Sequence, residues 1–182
     1  MNELRVFGIG SIGIIPVSVY IVLVVIYGIG SIFLFWLKGL REGFRCTMLF
    51  LLAEWVFLIL GICLLFRESN AERSINLVPL SSYFDYGEYS YFLEKAALNV
   101  LNVALFIPVG LLAGLGFNEI SWKKVLLLGL GLSFLIELLQ FIFKRGWCET
   151  DDLIHNVLGC AVGFGIYCIL ARIWKKVAGL NK

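Results

Sequence analysis

The stretch "VLLLGLGLSFLIELLQFIF", from Val125 to Phe143, decides what kind of protein this chain can be. It holds one charged residue, Glu137, and has the length of about 20 residues that a helix needs to cross the hydrocarbon core of a bilayer. The whole chain is similar, because 60% of its 182 residues are hydrophobic, only 15% are charged, and the mean hydropathy is +0.93. Soluble domains carry more charge and less apolar content. The sequence therefore predicts an integral membrane protein.

Four other apolar runs accompany this one, and each is long enough for a transmembrane helix. The five runs are Gly8–Leu37, Thr47–Phe66, Ala96–Phe117, Val125–Phe143 and Leu153–Ala171. They use nearly the whole chain, so we expect an all-α, polytopic transmembrane helical bundle of about five spans. The first run is too long for the apolar region of a signal peptide, and so we expect it to be a span.

Two function classes are disfavoured by composition. The five cysteines show no CxxC spacing and no pairing pattern, which argues against a disulfide framework or a zinc site. The net charge is only +2, and no basic groove is visible, so nothing points to nucleic acid.

The basic residues predict an orientation. Cations are denser on one side of the predicted spans, and the positive-inside rule makes that side cytoplasmic. These residues are Lys38, Arg41, Arg45, Lys123, Lys124, Arg172, Lys175, Lys176 and Lys182. We therefore expect the N-terminus outside, the C-terminus in the cytoplasm, and the segments around Arg73 and Arg145 facing outward.

Polar residues recur inside three spans at helical spacing, so that each set shares one helix face. The sets are Asn99 and Asn102 in the third span, Ser133, Glu137 and Gln140 in the fourth, and Asp152 and Asn156 in the fifth. Counted from the outer edge at about 1.5 Å per residue, Asn102 and Asn156 lie about 6–9 Å deep and Glu137 about 10 Å deep. Polar groups at matched depth can satisfy one another, so we expect Asn102, Glu137 and Asp152 to converge in the outer half of the bundle.

Small residues predict which helices approach closely. "GLLAG" (Gly110–Gly114) and "GCAVG" (Gly159–Gly163) both have the GxxxG spacing, which removes side-chain bulk from one helix face. Pro108 removes the N–H that would bond the carbonyl of Ala104, so a kink is expected there. Before the third span, Arg73 and Asn76 precede the apolar segment "LVPL", which could dip back over the polar residues.

Four motifs in this order resemble the VanZ-like family of bacterial membrane proteins. They are "RSINLVPL", "NVLNVALFIPVGLL", "SFLIELLQ" and "RGWCETDDLIHNVLGCAVG", which together run from Arg73 to Gly163. The resemblance divides the chain into an extra N-terminal transmembrane segment with a cytoplasmic loop at 1–45 and a VanZ-like membrane domain at 46–182. It also implies a set of ligand-binding residues: Arg73, Asn76, Asn102, Gln140, Arg145, Asp151 and Asn156.

The resemblance implies a role in the bacterial cell envelope, namely lower susceptibility to teicoplanin-type (lipo)glycopeptides. On this interpretation an outer-leaflet polar site binds a lipid headgroup or a lipid-linked peptidoglycan precursor, and the partners are membrane lipids, such a precursor or the lipoglycopeptide itself. Arginine and amide donors suit a phosphate, whereas the carboxylates repel an anion unless they are protonated or paired. A ligand with amine and hydroxyl groups, or a phosphate bridged by a cation, would remove this conflict.

A membrane-embedded enzyme acting on an envelope lipid or polyprenyl-linked substrate is the alternative. Glu137, kept away from bulk water, would act as general acid or base, and Asp151 or Asp152 would orient His155. The catalytic set would then be Glu137, Asp152 and His155. No cofactor is required, but Glu149, Asp151 and Asp152, with His155, leave room for a divalent cation, and oxygen ligands favour magnesium or calcium. Many family members have aspartate at the position of Glu149, which puts strict metal geometry in doubt.

A purely structural role is the third interpretation. In it, Arg145 pairs with Asp151 or Glu149, and Glu137 bonds Asn102 and Gln140, so that the polar residues hold three helices in register.

Overall fold

A computed structural model describes residues 17–65, 74–84 and 89–179 of the chain. The long helices are α1 (Val17–Leu60), α3 (Tyr89–Gly116), α4 (Trp122–Phe143) and α5 (Thr150–Val177). One π-helical turn, Gly61–Leu65, continues α1. Three short elements complete the described part of the chain: β1 (Ser74–Asn76), α2 (Ser81–Phe84) and β2 (Trp147–Glu149). The fold is thus an all-α helical bundle, as the apolar runs predict.

Helix α1 is interrupted at Gly39, where the chain reverses direction. Gly39 has φ 75° and ψ 171°, which lies in a region that only glycine adopts readily. The ring of Tyr27 stacks on that of Phe50 with centroids 5.8 Å apart, and Gly43 packs against the backbone of Phe35. These contacts pair positions at nearly equal distances before and after Gly39. Residues 17–38 therefore run antiparallel to residues 40–60.

Four helices among the described residues are long and apolar enough to cross a membrane: Gly39–Leu64, Phe92–Gly116, Trp122–Phe143 and Thr150–Val177. The chain is therefore a polytopic membrane protein. The predicted first span, Gly8–Leu37, lies partly outside the described residues; within them, Ile26–Leu37 forms a shorter apolar helix. A fifth span stays a prediction.

The two GxxxG motifs lie against each other where α3 packs on α5. A Cβ atom added at Gly110 would collide with the backbone of Cys160 and Phe164, and one added at Gly163 would collide with the carbonyl of Ile107. Gly159 meets the carbonyl of Val103 in the same way. This confirms the prediction of close approach, because only glycine lets the two backbones come so near.

Helix α3 runs from Tyr89 to Gly116 and continues through Pro108 without a break. The indole Nε1 of Trp55, on α1, donates a 2.8 Å hydrogen bond to the carbonyl of Leu105, one turn before the proline. Trp55 thus joins α1 to α3 in the turn that precedes Pro108.

The bundle has two distinct ends. At the Gly39 end, Arg45 donates from Nε to the carbonyl of Gly116 at the close of α3, and α4 begins nearby at Trp122. The other end, which we call the β2 end, holds the start of α3, the end of α4, β2 and the start of α5. Apart from Thr47 near the Gly39 end, the buried polar residues of the described helices lie towards the β2 end.

Exposure is inverted relative to a soluble protein. Helix α4 buries Ser133, Glu137 and Gln140, whereas Leu127 and Phe134 on its other faces are exposed. This arrangement suits a bundle whose outer surface meets hydrocarbon, because polar side chains in lipid are costly and turn towards the protein interior. All five cysteines lie among the described residues, and none of them forms a disulfide.

Candidate functional site

Buried and half-buried polar residues of α3, α4 and α5, with one residue of β2, converge near the β2 end and form what we call the polar cluster. Its members are Asn102, Ser133, Glu137, Cys148, Asp152 and Asn156. Asn102 donates from Nδ2 to Oδ1 of Asp152 at 2.7 Å, which joins α3 to α5. Asn156 donates from Nδ2 to Oγ of Ser133 at 2.9 Å, which joins α5 to α4. The predicted convergence of the three helix faces is therefore present.

Glu137 is the acidic residue of α4 and is only 2% exposed. Its Oε2 accepts a 3.0 Å hydrogen bond from the backbone N–H of Glu149, and its carboxylate also accepts a hydrogen bond from the thiol of Cys148. Glu137 thus fixes β2 to the side of α4. These partners differ from Asn102 and Gln140, which the structural interpretation expects.

Cys148 lies between carboxylates at the mouth of the cluster. Partial burial raises the pKa of its thiol, and the negative charges of Glu137 and Asp152, together with the hydrogen bond to Glu137, raise it further. Cys148 is therefore a thiol donor to Glu137 rather than an activated nucleophile.

Among the described residues, three buried side-chain oxygens have no hydrogen-bond partner: Oγ1 of Thr47 in α1 and, towards the β2 end, Oε1 of Gln140 and Oδ1 of Asn156. Gln140 and Asn156 are 1% and 4% exposed. Gln140 uses its Nε2 to donate to the carbonyl of Cys63 at 3.2 Å. Buried polar atoms without partners are uncommon and costly, so the oxygens of Gln140 and Asn156 are places where a ligand or water would gain a hydrogen bond.

Residues 74–84, which we call the strap, cover the β2 end of the bundle. Strand β1 pairs in parallel with β2, with Ile75 opposite Cys148 and Asn76 opposite Glu149. Asn76 then turns the chain, since its Oδ1 accepts from the N–H of Val78 and its Nδ2 donates to Oγ of Ser81 at 2.8 Å. The strap therefore lies directly beside Cys148 and Glu149.

Asp151 fastens the strap to the first turn of α5. Its Oδ1 accepts from the N–H of Leu80, and its Oδ2 accepts from the N–H of Ser82 at 2.9 Å and from its Oγ at 2.6 Å. Asn99 of α3 donates from Nδ2 to the same hydroxyl at 3.0 Å. Asp151 is 2% exposed, and its oxygens are engaged by the strap. Its contacts are those of an anchor.

His155 is held from both sides of its ring. Its Nδ1 lies 2.6 Å from the carbonyl of Asp151, which can only accept, so Nδ1 carries the proton. In the neutral ring Nε2 is then an acceptor, and it takes a 2.7 Å hydrogen bond from the hydroxyl of Tyr83 in the strap. Because both nitrogens are engaged, His155 holds α2 in place in this structure.

The carboxylates of the α4–α5 connection turn towards different partners. Glu149 forms a salt bridge with Lys95 of α3, with Nζ to Oε1 2.8 Å, whereas Asp151 binds the strap and Asp152 binds Asn102. Within residues 17–65, 74–84 and 89–179, no group of three or more His, Cys, Asp and Glu side chains is arranged to hold a metal ion. The predicted metal set of Glu149, Asp151 and Asp152 gains no support from these contacts.

Apart from Glu149, which pairs with Lys95, most of the predicted site residues fall into two groups. Asn102, Glu137, Asp152 and Asn156 belong to the polar cluster, and Gln140 lies beyond Glu137 on the same helix face. Asn76, Asp151 and His155 organise the strap. Arg145 follows α4, and its N–H bonds the carbonyl of Gln140 at 2.8 Å. Arg73 lies outside the described residues.

Sequence reasoning missed the roles of Lys95, Ser82, Tyr83 and Cys148. Lys95 could have been found, because it shares the helix face of Asn99 and Asn102 at positions i, i+4 and i+7. Ser82 and Tyr83 carry no such periodic signal. Cys148 lies in a polar segment, but nothing in its spacing indicates Glu137 as its partner.

A bundle of apolar helices with polar side chains gathered near one end and a short two-stranded sheet beside them defines a polytopic membrane protein with polar groups inside its spans. The chain belongs to the VanZ/LLP1 family, which it matches over residues 20–171. It is 33% identical over 130 residues to Protein VanZ of Enterococcus faecium, an alignment that covers 71% of this chain and 74% of that protein. The family match begins well before the motifs at Arg73 and includes most of α1. No solved structure gives a significant match.

Proposed function

We propose that this protein lowers the susceptibility of the bacterial envelope to teicoplanin-type (lipo)glycopeptides, and that its polar cluster binds a lipid headgroup or a lipid-linked cell-wall precursor. Family membership and the similarity to Protein VanZ support the first part. The observation that supports the second is the gathering of polar groups from three apolar helices, centred on the buried Glu137. Ionisable groups inside spans are costly, and they usually mark a functional site.

The chemistry of the cluster favours a ligand that donates hydrogen bonds. Oε1 of Gln140 and Oδ1 of Asn156 are acceptors, and the carboxylates of Glu137 and Asp152 are acceptors as well. Amine and hydroxyl groups of a headgroup or precursor match this set. A phosphate would have to lie nearer to the cationic side chains at the mouth, such as Arg145, because the carboxylates repel it.

The distribution of cations supports an outer-leaflet position for the cluster. Arg45 lies at the Gly39 end with Gly116, and Lys123 and Lys124 open α4 at the same end. Lys175 and Lys176 close α5 there. By the positive-inside rule that end is cytoplasmic, which puts the β2 end on the outside, where glycopeptides meet their targets.

The test compares wild type with Glu137→Gln, Arg145→Ala and Asp152→Asn variants at matched levels of folded protein. We expect each variant to lose most of the protection against teicoplanin, measured as the minimal inhibitory concentration. Glu54→Gln is the matched control, because it makes the same change inside α1, away from the cluster, and should leave protection intact. Full protection by all three folded variants would refute a role for the cluster.

The alternative, an enzyme that modifies an envelope lipid or polyprenyl-linked substrate, is favoured by one observation: the buried carboxyl group of Glu137 lies beside Cys148 and near Asp152. The lipid inventory of the same strains separates the two functions. A lipid species that appears with wild type and disappears with Glu137→Gln supports the enzyme. Unchanged lipids with altered drug binding to the cells support the binding protein.

A further inference from the structure

The strap turns its polar side chains towards the protein and exposes its apolar ones. Its polar residues turn to the protein, with Ser82 buried and Asn76 and Ser81 half-buried. Its apolar residues face away: Leu77 is 72% and Val78 is 63% exposed. The other exposed apolar or aromatic residues of the strap are Ile75, Pro79, Leu80, Tyr83 and Phe84. A loop in water would show the opposite pattern, whereas α4 shows the same one.

The residues that hold the strap belong to two apolar spans, one well inside its span and the other at the end of its span. Asn99, which bonds Ser82, is the eighth residue of the span Phe92–Gly116, and so lies about 10 Å along it, at about 1.5 Å per residue. Asp151 is the second residue of the span Thr150–Val177. The strap is therefore continuous with the lipid-facing surface of the bundle.

The backbone of the strap is suited to this depth. Non-helical backbone within a bilayer needs hydrogen-bond partners from the protein. The strap obtains them from β2 along residues 74–76, from Asn76 at the N–H of Val78, and from Asp151 at the N–H groups of Leu80 and Ser82. The apolar side chains project from the opposite side.

We propose that residues 74–84 form a re-entrant strap whose exposed apolar side chains lie in the hydrocarbon of the leaflet that contains the polar cluster, so that the partner of this surface is the lipid bilayer. The strap then separates the cluster from lipid on one side. Asp151 holds it there from within the protein. This inference does not depend on which ligand the cluster binds.

The test measures the depth of single nitroxide labels in the full chain, reconstituted in phosphatidylcholine–phosphatidylglycerol vesicles. Cysteines are placed at Leu77 and Val78 in a background whose five native cysteines are replaced by alanine. The matched controls are Phe134, exposed in mid-span on α4, and Asn118, exposed between α3 and α4. We expect the ratio of collisions with oxygen to collisions with a nickel chelate to lie nearer to that of Phe134. A ratio nearer to that of Asn118 overturns the proposal.

A second measurement keeps the native cysteines. A benzophenone amino acid replaces Leu77, Phe134 or Asn118 in cells, and the photoadducts are identified by mass spectrometry. We expect phospholipid adducts at Leu77 at a yield within about threefold of Phe134 and well above Asn118. A Leu77 adduct with another protein, or a lipid yield no higher than that of Asn118, contradicts the proposal.

Discussion

Asn102 of α3 and Asp152 of α5 are joined by a 2.7 Å hydrogen bond across fifty positions of sequence. The bond lies inside two apolar helices that also pack through their glycines, so it fixes the register of one helix against the other. The first prediction concerns this bond.

Replacing Asn102 with leucine should destabilise the folded bundle by about 1–3 kcal/mol, because Asp152 loses a donor in a water-poor place. Thermal unfolding in detergent, followed by circular dichroism, measures the loss. Asn118→Leu, at an exposed position between helices, is the matched control and should have little effect. An Asn102→Leu variant as stable as the control would mean that the hydrogen bond contributes nothing.

Replacing Gly110 or Gly163 with alanine should cost about 1–3 kcal/mol, because the new Cβ would collide with the backbone of the partner helix. Gly131→Ala is the control, since nothing lies within 4 Å of a Cβ atom at that position, and alanine should even favour the helix slightly. The same unfolding assay compares them. Equal stability of the three variants would contradict the close approach of α3 and α5.

The reactivity of Cys148 should respond to Glu137. The pKa of the thiol is raised by burial and by the carboxylates of Glu137 and Asp152, so little thiolate is present near pH 8 and maleimide labelling is slow. Glu137→Gln removes one charge and weakens the hydrogen bond, which lowers the pKa, shifts the labelling profile to lower pH and speeds labelling at pH 8. The rate is read in a variant that keeps Cys148 alone, with Glu54→Gln as control. An unchanged or slower rate would count against the contact.

Labelling also tests orientation. In intact cells, a membrane-impermeant maleimide should react with a variant that keeps Cys148 alone and should spare one that keeps Cys46 alone, next to Arg45 at the Gly39 end. Both should react once the cells are made permeable. The reverse order would place the polar cluster on the cytoplasmic side and remove the basis of the proposed function.

Replacing Asp151 with asparagine should release the strap. The amide keeps one acceptor oxygen and adds a donor, so it cannot hold the donors of Leu80 and Ser82 together. A nitroxide at Leu77 should gain mobility and collide at least about twofold more with a nickel chelate. Asp152→Asn is the control at the next residue, since Asp152 bonds Asn102 rather than the strap. Equal mobility in both variants would mean that Asp151 is not the anchor.

The helices and their closest contact could be predicted because both rest on periodic patterns. Apolar runs long enough for the bilayer give the spans, and the glycines at Gly110 and Gly163 lie on one face of each helix. The convergence of Asn102 and Asp152 could be predicted because the two residues lie at a similar depth within their predicted spans. These inferences need only the geometry of a helix and the properties of lipid.

The rest of the site depends on contacts that leave no periodic signal. The pairing of β1 with β2 joins two strands of three residues, too short for an alternating pattern. Glu149 pairs with Lys95 because of how α3 and α5 pack. The sequence alone does not distinguish Lys95 from the other basic residues as the partner. Gly39, where the chain reverses direction, is one of 19 glycines in the sequence. Its positive φ, which distinguishes it from most of the others, is visible only in the structure.

The parallel pairing of β1 with β2 has a consequence for biosynthesis. Ser74 leaves the ribosome long before Trp147, and the carboxylate of Asp151 comes later still. While α3 and α4 enter the bilayer, the N–H groups of Leu80 and Ser82 therefore lack their acceptor, because Asp151 has not yet been translated. Residues 74–84 can be fixed in place only after β2 and the first turn of α5 have been translated. A nascent chain halted before β2 would therefore reach the translocon without the partners that hold residues 74–84.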